Sequence, residues 1–556
     1  MKVNLFKNGK IYSMKREKDS FKNMLVINGK VVFTSDEEIS VNRYLNDKEC
    51  KVEIFDLEGK SCIPSFCDAH IHFTFGANTF EYLNLSNLYS IEDIFKEIEL
   101  YIENKIKIND FWIICYGYDK NNLKNSEELN IKNIESFINS KFKNLKDSLY
   151  VLIFSKDYHS AYVNINLLNL INKRLKLVKS SFFTKILKTN EIENYNEIIN
   201  SIDYENGIFY ESALKFLTNS VNDLVNEDYS KIIERIKRFI KYLYSNGITA
   251  TTDCSLLWKD SSFKYFQKLE HEEVKFRNLV CIPEDALDKF IDLNLITNKG
   301  SNYFKVGPLK LIYDGSVGSQ TALLFKQYEN KNSFGFKNYK QNFLKEVIDK
   351  CLKNNIGLAI HAIGDRANSE VVDLFSNIRS LNSNILLRLE HGQILRDEEI
   401  EKIKHLNLFV IMQPVHIDQD YFTYEKYLKD YMPLSYRFKS LMKNNINVAF
   451  STDFPVADIN PFFGIFCAIT QEGFEISKGK IFNINEKIDL FNAIKNYTYF
   501  SHKSSLFENS GLIAEGFNAD FIVLDKDIFD IDNEYELLDI KVLRTFFEGE
   551  EVFKSY

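Results

Sequence analysis

Apolar and polar positions alternate through the first 63 residues of the chain. VNLFKNGKIYSM, NMLVINGKVVFTS and CKVEIFDLEGKSCIP keep a period of about two, with Asn-Gly and Glu-Gly turn signals between the runs. NADFIVLDKD and KVLRTFFEGEEVFKS repeat the pattern near the other end. Two β-rich ends around a long middle predict a small β-sandwich built from residues 1–63 together with 505–556. Two unrelated β appendages are the alternative.

Residues 64–504 read differently. Short apolar runs recur, several ending in polar clusters: SFCDAHIHF, GITATTDC, FRNLVCI, PLKLIYDGS, GLAIHAIGD, ILLRLEHGQ, LFVIMQP and VAFSTDFP. Helical periodicity lies between several of them. In SKIIERIKRFIKYLYSNG, the positions Ile232, Ile233, Ile236, Phe239, Ile240 and Leu243 fall on one face before Gly247. NFLKEVIDKCLKNNIG has the same character. Eight strands alternating with helices predict an α/β fold, a (β/α)8 TIM barrel with active-site residues at the C-terminal ends of its strands. Residues of about 80–235 exceed one such unit and contain the helical pattern IEDIFKEIELYIENKI. They predict a helical insertion after strand one, packed over the barrel mouth.

Composition narrows the class. With 45% hydrophobic and 27% charged residues, a disordered, collagen-like or disulfide-stapled chain is excluded. The net charge is −8 and the lysines are dispersed, so no nucleic-acid partner is expected. No apolar run approaches the roughly 20 residues of a membrane span. The N-terminus lacks the apolar core of a signal peptide. A cytoplasmic protein without a membrane partner is the expectation, with a homodimer as the default assembly. The eight cysteines show no CxxC spacing and read as small core residues. Histidine is scarce, at nine residues, so clustered histidines stand out.

His70 and His72 close the first apolar run, beside Asp68. On a strand, positions i and i+2 share a face, and two neutral imidazoles on one face can chelate a transition metal. His361 ends the fifth run, His391 the sixth and Asp453 the eighth. A buried core histidine is the ordinary reading of each alone. In a barrel, however, these strand ends converge.

Pro64–Phe73, then His361, His391 and Asp453 in that order, resemble the amidohydrolase superfamily of metal-dependent hydrolases. HAIGDRA at 361–367, EHGQ at 390–393, MQPVH at 412–416 and STDFPV at 451–456 are similar to its amidohydrolase-3, or YtcJ-like, family. KDYHSAYVN at 156–164, GITATTD at 247–253, LKLIYDGSVGS at 309–319 and GLIAEGFNADFIVLD at 511–525 extend the resemblance over nearly the whole chain. It implies a metal-binding (β/α)8 barrel with a small β-sandwich from both termini, as read above.

The resemblance also implies roles. His70 and His72 would ligate a first ion, usually Zn2+, although another divalent transition metal would serve. His361 and His391 would ligate a second ion, or complete the first site and hold substrate. Asp453 would touch the metal and act as general base. A bound Zn2+ lowers the pKa of water to about 7, and an adjacent carboxylate can carry its proton to a leaving nitrogen. Lys310 matches the carboxylated lysine that bridges two ions in several superfamily members; a structural or substrate-binding lysine is the alternative. Asp314 would pair with Lys310 or meet substrate. His159 and Glu211, both in the insertion, and His416, at the end of strand seven, would contact substrate. A surface position is the alternative for His159. Asp365 and Arg366 would tie down the loop after His361.

The chain has Gly117-Tyr118-Asp119 where the family commonly has Gly-Trp-Asp, and Asp157-Tyr158-His159 in place of Asp-Gly-His. Both differences bear on substrate preference and leave the metal ligands intact. The expectation is a metal-dependent hydrolase of a non-peptide C–N bond, an amide, N-acyl or N-formyl group of a small molecule. A same-fold esterase, deaminase or isomerase is the first alternative. A non-catalytic binding barrel is the second, and the presence of His70, His72 and Asp453 speaks against it.

Overall fold

A computed structural model describes residues 1–44, 51–86, 88–107, 110–120, 123, 129–179, 198–225, 229–255 and 261–555. They form two compact units. One comprises Met1–Ala77, Ile233–Val317 and Thr321–Tyr556; the other comprises Asn78–Ile232 with Gly318–Gln320.

The first unit is built on eight parallel strands: β1 (Phe66–Ile71), β2 (Ile248–Asp253), β3 (Arg277–Ile282), β4 (Phe304–Ile312), β5 (Leu358–Ala362), β6 (Leu387–His391), β7 (Phe409–Met412) and β8 (Asn447–Phe450). Each pairs with the next in sequence order. All eight predicted runs are therefore strands of one barrel sheet. They are apolar runs rather than alternating ones because each is buried on both faces.

Just beyond β8, the chain turns back onto β1. Asp453 N–H donates to the His70 carbonyl at 2.9 Å, and His72 N–H donates to the Phe454 carbonyl at 2.9 Å. Asp68 adds a side-chain clamp, accepting from Thr452 N–H at 3.1 Å and from the Thr452 hydroxyl. The same bonds that join the first and last strands thus set Asp453 against the histidine pair.

Helix Tyr229–Ser245 buries Ile233, Ile236, Phe239, Ile240 and Leu243, the face that its periodicity predicts. It ends at Gly247, where φ is +74° and an added Cβ would lie 3.0 Å from Ile522. A left-handed turn against a packed side chain favours glycine.

Strands from both ends of the chain share one six-stranded sheet. Its order is Glu550–Lys554, Val542–Phe547, Phe521–Leu524, Ser61–Pro64, Lys10–Tyr12 and Ser20–Phe21. A second sheet carries Val3–Lys7 between Asn23–Ile27 and Val52–Asp56. Phe6, Phe521 and Phe546 pack together in the core, with ring centroids 4.7–5.0 Å apart. Arg277 on β3 reaches these strands. It donates to Asp520 at 2.6 Å and to Glu548 at 2.6 Å, and its guanidinium lies 4.2 Å from the Phe547 ring centroid.

The second unit corrects the expectation of a helical insertion. Its helices include Ile91–Ile106, which starts from a Ser90 cap, Ile131–Lys141 and Glu211–Val225. It also contains a six-stranded mixed sheet, with Trp112–Tyr118, Tyr150–Ser155 and Ser160–Val163 at its centre. WIICYGY and YVLIFS are short, mostly buried runs whose strand character lies in apolar content rather than alternation. Among the described residues, no helix is long and apolar enough to cross a membrane. The described cysteines are free and buried.

Candidate metal centre and active site

His70 stands on β1, and His72 follows the strand directly. His70 is fully buried, whereas the His72 side chain is 22% exposed. Asp453 Oδ1 lies 3.5 Å from His70 Nε2 and 3.3 Å from His72 Nε2. It is buried without a hydrogen-bond partner. A buried carboxylate oxygen left in that state is costly unless a cation or donor meets it. His391 completes a buried group in which one ligand atom each from His70, His391 and Asp453 lies within 4.8 Å of the others. The His361 ring centroid is 4.4 Å from that of His391. His391 and Asp453 both have positive φ, +69° and +61°, conformations that non-glycine residues adopt at an energetic cost.

Hydrogen bonds fix the ring tautomers. His70 Nδ1 is 2.5 Å from Glu390 Oε2. Arg388 keeps Glu390 ionised, and a carboxylate can only accept, so His70 carries its proton on Nδ1 and presents a lone pair at Nε2. His391 Nδ1 is 2.9 Å from Gln413 Oε1, while the Gln413 amide nitrogen donates to Ser451. His391 thereby also presents its lone pair at Nε2. His361 Nε2 donates to the Gly315 carbonyl at 3.1 Å, which makes Nδ1 its acceptor atom. Burial, reinforced by Lys310, pulls the His70 pKa down to about 4. Burial and then His361 push His391 well below its usual value. Both rings are neutral near pH 7, as metal ligands must be. Burial opposes ionisation of Asp453, but His70 and the other imidazoles outweigh it and hold its pKa well below the carboxylate range. Burial pushes Asp68 up to about 7 against the bonds from Thr452.

Lys310 on β4 is buried, with Nζ 3.4 Å from His70 Nε2. Its place beside the cage suits either an ammonium or an anionic carbamate. A second group, His70 with Cys254 and Glu390, is equally compact. Its His70–Glu390 hydrogen bond already occupies those atoms, and burial keeps the Cys254 thiol strongly protonated, 3.8 Å from Cys281. The donor set that fits a divalent ion is therefore the imidazole–Asp453 group.

Other expected residues have different surroundings. Asp314 lies beyond the end of β4 and accepts from the N–H groups of Leu323, Ile363 and Gly364 at 2.9–3.0 Å. It fastens the chain after β4 to the exit of β5, and its Oδ1 lies 3.6 Å from His361 Nε2. Asp365 accepts from Phe325 N–H at 3.0 Å and so ties the same loop. His416 does not end strand seven. It opens helix His416–Tyr427, with its ring buried and Nε2 lacking a hydrogen-bond partner. His159 and Glu211 belong to the second unit, where His159 Nδ1 meets both Glu211 oxygens at 2.9 and 3.0 Å. Asp157 accepts from His159 N–H and from the Ser319 hydroxyl. His271 and His405 are exposed; His502 is buried and bonds Thr498.

Sequence reasoning passed over Arg388, Glu390 and Gln413. Charged residues at 388 and 390, inside an otherwise apolar strand and on one face, were the available signal.

A barrel whose strand ends gather neutral imidazoles around a buried carboxylate is the framework of a metal-dependent hydrolase. The chain belongs to the amidohydrolase family, whose model matches residues 205–553. It is 26% identical to "Putative amidohydrolase YtcJ" of Bacillus subtilis (strain 168), over 98% of each chain. It is 21% identical to the N-substituted formamide deformylase of Arthrobacter pascens, covering 89% of each. Among solved structures, an uncharacterized metal-dependent hydrolase from Pyrococcus horikoshii OT3 superposes with a TM-score of 0.75 at 25% identity, covering 95% of this chain and 98% of that one.

Proposed function

We propose that the protein is a zinc-dependent hydrolase that cleaves the C–N bond of an amide, N-acyl or N-formyl group in a small molecule. The observation that carries this reading is Asp453 Oδ1, buried, unpartnered and within 3.5 Å of two imidazole Nε2 atoms. The deformylase among the relatives supports the choice of a C–N bond.

His70 and His72 would hold the ion through Nε2. His391 through Nε2 and His361 through Nδ1 would hold a second ion or complete the first site. Lys310, if carboxylated, would supply a further anionic oxygen ligand. When bound, the ion supplies a Lewis acid that lowers the pKa of a water and draws charge from a carbonyl oxygen. Asp453 accepts the proton of the attacking water and returns it to the departing nitrogen. Its backbone, anchored to the His70 carbonyl, holds the carboxylate in place for both transfers. His416 would contribute to substrate recognition.

The test is a panel of N-formyl, N-acyl, cyclic-amide and ester substrates offered to zinc-loaded protein. The proposal predicts that at least one amide-type substrate exceeds its matched ester in kcat/KM by about tenfold or more, roughly 1.4 kcal/mol of transition-state preference. Turnover of esters alone, or ring deamination without amide hydrolysis, would overturn it.

A further inference from the structure

TIM-barrel interiors are filled mainly by branched apolar side chains. Here β6 places Arg388 and Glu390 inside, both fully buried. Stability does not explain them. Removing two charges from water costs several kcal/mol per ion, and apolar replacements of such pairs are often neutral or stabilising.

Their bonds show a different use. Arg388 Nη2 donates to the Ala69 carbonyl of β1 at 2.6 Å. Nη1 donates to Thr252 on β2 at 3.3 Å and to the Ser504 carbonyl at 3.1 Å. Nε donates to Glu390 Oε1 at 2.7 Å. The guanidinium is thus pinned to two strands and to helix Ser501–Ser504, and it pins the carboxylate in turn. Glu390 Oε2 then faces His70 Nδ1 at 2.5 Å, while His70 Nε2 faces Asp453 Oδ1 at 3.5 Å and Lys310 Nζ at 3.4 Å. His391 is oriented by a neutral amide, that of Gln413. His70 has an ionised partner.

We infer that Arg388 and Glu390 are positioning residues: the pair locks His70 as its Nδ1-protonated tautomer, aims Nε2 at Asp453 and makes that nitrogen a stronger donor to the ion. The inference rests on reading the cage as a metal site, but the tautomer can be measured without metal.

The experiment uses full-length protein labelled with 15N-histidine. With nine histidines, long-range 1H–15N spectra can be assigned by single substitution. Metal-free protein should show His70 protonated at Nδ1. Glu390→Gln should populate the Nε2-protonated form and weaken Zn2+ binding, measured by chelator competition, about 10–100-fold. Arg388→Met combined with Glu390→Leu leaves no lone buried charge and no acceptor for His70 Nδ1, and should show the same two changes. A folded variant with unaltered His70 nitrogens and zinc affinity would overturn the inference. So would Nε2 protonation of His70 in the unsubstituted protein, which needs no variant to fold. The expected tautomer together with no zinc binding would overturn the metal reading and leave the positioning role standing.

Discussion

Asp453→Asn is expected to lower kcat by about 10²–10⁴-fold, the usual contribution of a positioned acid–base group. Metal content should stay close to that of the unsubstituted protein. The amide keeps an oxygen that can face His70 and His72 but loses the capacity to take a proton. The backbone bonds that place residue 453, from its N–H to the His70 carbonyl and from His72 N–H to the Phe454 carbonyl, do not involve the substituted atoms. The expected signature is therefore a loss in kcat that exceeds any change in KM, in a protein that folds and loads normally. Paired metal analysis and steady-state kinetics on the best substrate would check it. Unaltered turnover would remove Asp453 as the base.

The second large effect concerns stability. Arg277→Met should cost about 3–5 kcal/mol, the usual price of stripping one partner from a buried ion pair. Asp520 is fully buried, and its Oδ2 accepts from Arg277 at 2.6 Å. Without the guanidinium, the carboxylate keeps only hydrogen bonds, from Glu548 N–H at 2.8 Å and Ser510 at 3.3 Å. The same guanidinium also joins β3 to the terminal sheet through Glu548. Calorimetry of Arg277→Met should show a melting transition lowered by several degrees. Addition of Asp520→Asn should recover part of the loss, because it removes the stranded charge. An unchanged transition would show that the pair does not stabilise the unit.

The eight barrel strands were legible because burial on both faces writes them as short apolar runs. The cage followed from its position. Parallel strands in register bring their C-terminal ends together, so His70, His361, His391 and Asp453 could be grouped although they are far apart in sequence. Residues whose roles depend on partners chosen in three dimensions were harder to read. Asp314 reads as a strand-end carboxylate, and it also accepts from the N–H groups of Leu323, Ile363 and Gly364. Nothing in local sequence marks those donors. Glu390 was visible within the EHGQ motif, but its task depends on Arg388 below it and His70 across the barrel. The pairing of His159 with Glu211 spans 52 positions of the inserted unit. That unit's sheet was missed because helical periodicity in neighbouring segments is a stronger signal than a short strand buried on both faces. The sequence places His416 at the end of a strand, whereas the chain turns after Met412 and the residue opens a helix.

The catalytic roles proposed for His70, His72, His361, His391 and Asp453 depend on the cage holding a metal. Elemental analysis of protein purified without chelator tests that most directly. About one to two transition-metal ions per chain, predominantly zinc, are expected. They should be lost on dialysis against a strong chelator, together with activity, and both should return with Zn2+. Less than about 0.2 ion per chain, with no uptake from added Zn2+, would contradict the account, since a preformed site of neutral imidazoles and a carboxylate should load readily.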